Sequence, residues 1–162
     1  MSAPRLLAVY LQDHHAGATT GLSLARRIAG ENEGNAYGEE LARIASEIEQ
    51  DQKTLEDLMS ALEVGTDRIK DSLAWAGEKV GRLKPNARLF EYSPLSRLLE
   101  LEGLMLVVNA KLSLWRGLER VAGEIDGMSG FDFGDLQARA KEQLDRLENL
   151  RLRAAADALP QD

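Results

Sequence analysis

The chain has 162 residues, with 27 acidic side chains against 20 basic ones and a formal charge of −7. That balance argues against nucleic acid as a partner, whose recognition normally needs a basic stripe. The absence of cysteine excludes disulfides, thiol chemistry and thiolate metal sites. Aromatic residues make up 5% of the chain and hydrophobic residues 44%, so aliphatic side chains must build the core, which favours helices over a sandwich or barrel. No apolar run reaches the roughly 20 residues that span a bilayer, and the stretch from Met1 to Leu7 has neither the charged nor the long apolar region of a secretory signal. The expectation is a single cytoplasmic domain with no membrane partner.

Residues from about 4 to 29 read as a first long helix, with Pro4 acceptable in its first turn. Its apolar and small positions step by three and four through Leu7, Leu11, His14, Ala18, Gly21, Ala25 and Ile28. His14 falls on that stripe, whereas His15 is expected nearer the surface. Gly30 to Asn35 reads as a turn, with Gly30 as C-cap and Asn35 as N-cap. A turn this short makes the second helix, about 36 to 64, an antiparallel neighbour. Tyr37, Leu41, Ile44, Ile48, Leu55, Leu58 and Leu62 keep its rhythm, and the one skipped position is Asp51. Gly65 is expected to end it.

A shorter helix follows over about 67 to 83, its apolar face formed by Ile69, Leu73, Ala76, Val80 and Leu83, with Trp75 to one side. Ser93-Pro94 is a strong start signal, a serine N-cap with proline at the first helical position, for a helix over about 94 to 125. Leu104 to Val108 is apolar in five successive positions, which wraps the whole circumference. That helix needs cover beyond its bundle side, from the preceding segment, from a partner subunit or from both. The last helix, about 132 to 158, packs through Leu136, Ala140, Leu144, Leu147, Leu150 and Ala154.

Two hairpins of long helices joined by a connection of about 28 residues make an all-α four-helix bundle with a long crossover containing the short helix. The alternative is a five-helix up-down bundle in which the short helix is an ordinary member. In helix lengths and long connection, nearly the whole chain resembles the ferritin-like superfamily. Di-metal members of that superfamily carry a carboxylate on the first and third long helices and Glu-x-x-His on the second and fourth. Here no histidine lies beyond the first helix. Glu47-x-x-Gln50 and Glu49-x-x-Gln52 end in glutamine, and Glu142-x-x-Asp145 and Asp145-x-x-Glu148 lack the imidazole. The resemblance implies the fold and withholds the ferroxidase centre.

With the first turn centred near Asn32-Glu33, His14 and Asp51 stand equally far from it on core-stripe positions. They are expected to face each other as a buried hydrogen-bonded pair, because a buried carboxylate needs a partner. Glu102 either points inward as a third polar group or lies on a flank. One imidazole with one or two carboxylates, His14, Asp51 and Glu102, is a thin ligand set for Fe, Mn or Zn. Trp75 and Trp115 read as packing anchors, and Tyr10 as a core ring with its hydroxyl at the rim. No phosphate-binding loop or nucleophile elbow can be assembled. The expected function is therefore a non-catalytic bundle acting through protein contacts, a homo-oligomer pairing through the third long helix or the crossover segment. The alternative is a divergent metal-binding or oxidoreductase protein with a reduced site around His14 and Asp51. Small residues on the first helix either leave room for a small apolar ligand or let helices approach closely.

Overall fold

The computed structural model describes residues 3–66 and 92–161. These form four long α-helices: α1 (Arg5–Glu31), α2 (Gly38–Ala61), α3 (Pro94–Val121) and α4 (Phe133–Ala158), with a 3-10 turn at Ala122–Glu124. No strand occurs among the described residues. The expected short helix over 67–83, Trp75 included, lies outside them.

The helix ends follow local chemistry. Ser93 Oγ accepts the Ser96 N–H at 3.1 Å, with Pro94 in the first turn of α3. The Asp132 carboxylate does the same for the Asp135 N–H at 2.9 Å, opening α4. Two expected ends are corrected. Gly30 does not cap α1, which continues to Glu31 and turns through Gly34 at φ +79°. Gly65 does not end α2, because Glu63 takes the left-handed conformation at φ 54° and Val64 N–H reaches back to Met59 O at 2.8 Å.

Contacts between the helices fix their directions. α1 and α2 are antiparallel across their short turn. Arg97 at the start of α3 bonds Asn32 at the end of α1, while Tyr10 near the start of α1 lies against Gly117 late in α3. α3 is therefore antiparallel to α1 and parallel to α2. Tyr37 bonds Asp157, and Asp51 bonds Gln143, so α4 runs antiparallel to α2. Both expected architectures require α2 and α3 to be parallel, and the difference between them falls on residues 67–91, outside the described ones.

The apolar interior has two parts. One half gathers Ile28, Leu41, Ile44, Leu101, Leu104 and Leu147 with their neighbours, and the other gathers Leu11, Leu55, Leu58, Trp115, Leu118 and Phe133. Between them along α2, Asp51 separates Ile48 from Leu55. Along α3 the apolar run of Leu104 to Val108 divides: Leu104 and Val108 are buried, but Leu106 is 69% exposed.

Candidate functional site at the centre of the bundle

The layer between the two apolar halves is polar and internally paired. Asp51 on α2, 2% exposed, accepts the Lys111 ammonium from α3 at 2.5 Å. It also accepts Gln143 Nε2 from α4 at 3.1 Å and forms an ion pair with Arg139 of the same helix. Gln143 Oε1 accepts from Lys111 at 2.5 Å, and Gln143 Nε2 also lies 3.2 Å from Glu47. Glu47 is paired with Arg146, whose other nitrogen reaches Glu40 at 3.1 Å. Three cations thus face three carboxylates across α2, α3 and α4. Burial pulls the Lys111 ammonium below the usual lysine range, and the Asp51 charge opposes that pull.

This arrangement corrects the expected His14–Asp51 pair. Asp51 hydrogen-bonds Lys111 and Gln143, while His14 is half-buried and packs edge-on to Tyr10, ring centroids 4.5 Å apart. The buried histidine is His15, whose Nε2 lies 3.0 Å from Glu56 Oε1. The physical reason is that α1 shows two inward faces. His15, Thr19 and Arg26 meet Glu56, Gln52 and Glu49 of α2, whereas Tyr10, Gly21, Leu24 and Arg27 meet α3. His14, one turn from Tyr10, belongs to the second face. The register also differs: pairing His15 with Glu56 and Thr19 with Gln52 centres the turn near Asn35, not Asn32-Glu33. Glu102 is exposed and lies 3.7 Å from Arg151, on the flank.

Lys111, Arg139 and Gln143 were missed by the sequence reading, although a signal existed. Lys111 continues the stripe of Leu104 and Val108 at the same three-to-four step that exposed Asp51. On α4 the buried position is Gln143, while Leu144 is only partly buried, so the stripe runs Ala140, Gln143, Leu147.

A di-metal centre does not fit this donor set. The Asp51 carboxylate is engaged by Lys111, Arg139 and Gln143, the neighbouring Glu47 is engaged by Arg146 and Gln143, and a dication would enter beside fixed positive charges. Among the described residues, no group of three or more His, Asp or Glu side chains stands close enough to share an ion. No helix among them is long and apolar enough to cross a membrane.

Beside the ion-paired layer, a cavity of about 250 Å³ opens between α1, α2 and α3. It is walled mainly by Ile48, Leu55, Val108, Leu114 and Trp115, and both His14 and Asp51 contribute to its lining. Fold and centre together define a four-helix bundle built around a buried ion-pair layer. No protein-family model, curated protein or solved structure matches the chain.

Proposed function

We propose that this chain is a non-catalytic, ferritin-like bundle that works through protein contacts, with a second copy of itself as partner. The observation that carries the reading is the ion-paired centre. Between the two apolar halves of the bundle, Asp51 is bound to Lys111, Arg139 and Gln143, an arrangement suited to holding helices together. Parallel α2 and α3 are compatible with the ferritin-like topology, as they are with a five-helix up-down bundle. An acidic chain without cysteine supports a cytoplasmic setting.

Self-association is supported by α3. Leu95, Leu99 and Leu106 are all exposed there, and their spacing of four and seven residues puts them on one face of the helix. An aliphatic stripe facing water is the kind of surface that a partner helix buries. Light scattering across a concentration series tests this. The wild-type mass should approach twice 17.8 kDa, and Leu99→Glu/Leu106→Glu should return it to the single-chain value. A wild-type protein that stays monomeric at every concentration overturns the reading.

A further inference from the structure

The cavity beside the ion pairs exists because α1 and α3 are held close at two levels and apart between them. At one level Gly21 lets Val107 in, so that a Cβ on residue 21 would stand 2.3 Å from Val107 Cγ1. At the other, the Tyr10 hydroxyl lies against Gly117. Between these contacts α1 presents Gly17 and Ala18 and α3 presents Ala110, and a Cβ on Gly17 would meet nothing within 4 Å. Asp13 and Ala110, which both line the cavity, are exposed, so it reaches solvent along the α1–α3 seam.

Two neutral polar groups of the lining are unspent, while Asp51 Oδ1, which also lacks a hydrogen bond, is ion-paired with Arg139. Trp115 is 1% exposed, and its indole N–H has no hydrogen-bond partner among the described residues. Gln52 Oε1 is likewise buried without a partner, its amide nitrogen being used by Thr19 and Glu56. A buried donor and a buried acceptor left unpaired are each costly, so the lining is unsatisfied as it stands. Of the charged groups in the lining, Asp51 and Lys111 are matched to each other, and Asp13 stands at the exposed rim. An ionic ligand would therefore leave its hydration for a wall whose buried charges are already paired.

We propose that this cavity binds one small, neutral, largely apolar molecule of one or two fused rings that carries a hydroxyl or ring N–H. Its body would lie against Ile48, Leu55 and Leu114; a hydroxyl would accept from the Trp115 N–H or donate to the Gln52 carbonyl, and a ring N–H would donate to the Gln52 carbonyl. The volume suits that class, since engineered apolar cavities of roughly 150 Å³ already bind benzene and larger ligand pockets begin near about 300 Å³.

Isothermal titration of the full chain with phenol, indole and 1-naphthol, against benzoate and benzylamine, tests the assignment. At least one neutral probe should bind wild type at one per chain, and the charged pair should bind more weakly. Gly17→Leu fills the open space and should lower affinity at least about tenfold, the scale of a mismatch of one or two methylenes. Ala110→Leu, at the exposed rim, should lower it too and cannot disturb the core, and far-UV circular dichroism confirms that each variant is folded. Trp115→Phe keeps an aromatic ring but removes the N–H together with the pyrrole half of the indole, and should weaken phenol more than benzene, titrated alongside as the probe without a hydroxyl. Absence of binding by every neutral probe overturns the proposal. So does affinity unchanged in both filled variants, which would place binding elsewhere, or benzoate or benzylamine binding as tightly as phenol.

Discussion

Lys111 Nζ stands 2.5 Å from the Asp51 carboxylate and 2.5 Å from Gln143 Oε1, so one ammonium ties α2, α3 and α4 together at mid-height. Its neighbours along the buried stripe, Val108 and Leu114, are apolar core, and the charge is stable there only because its partners are fixed around it. Lys111→Met leaves Asp51 buried with Arg139 as its remaining cation, and should cost about 3 kcal/mol, the scale of breaking a buried ion pair. Asp51→Leu/Lys111→Met removes both charges and should cost much less than the two single losses combined. Urea unfolding of the four proteins measures the coupling, and simple additivity would show that the two groups do not depend on each other.

The α1–α3 seam predicts opposite effects for the same substitution four residues apart. Gly17→Ala adds a methyl to open space and should stabilise by up to about 1 kcal/mol through helix propensity. Gly21→Ala drives a methyl onto Val107 and should destabilise by about 1–3 kcal/mol, the cost of overpacking. Thermal melts of the two variants read the contrast directly.

Glu63 closes α2 in a conformation that disfavours side chains, φ 54°. Glu63→Gly should raise stability by about 1 kcal/mol, the penalty that a Cβ carries in the left-handed region. A loss of stability would show that the α2 terminus is held by the glutamate side chain instead.

Burial pulls the His14 pKa below its usual 6.5, with Asp13 opposing. The fold thus favours the neutral ring. The stability this gives is fully present above the unfolded value and is lost as pH falls through the folded one. Wild type should lose stability relative to His14→Phe as pH drops from about 7.5 to 5, the range in which histidine titrates. Parallel curves for the two proteins would mean that His14 is solvated in the folded chain.

The long helices and their apolar stripes were legible in the sequence, because serine, proline and the three-to-four rhythm act locally. Ser93-Pro94 and the run of Leu41, Ile44 and Ile48 needed no knowledge of the partner helices. Asp51 was legible as an interruption, but its partner was not. Choosing between His14 and His15 required knowing that α1 packs against α2 and α3 on two faces about one residue apart. Pairing across the first turn required the register, which the extension of α1 past Gly30 moved by about three residues. Lys111 stood on a readable stripe, yet a lysine reads by default as surface, because its long stem can carry the charge to solvent.

The centre of the bundle is closed by its own side chains, Asp51 being ion-paired with Lys111 and Arg139. Protein purified without a histidine tag, incubated with Fe, Mn and Zn salts, desalted and analysed for bound metal, tests this most directly. The ion-paired centre predicts less than about a tenth of an equivalent of any of the three per chain, since ligands must be free of competing partners to bind. One equivalent or more, retained by wild type and lost from Asp51→Ala, would contradict it.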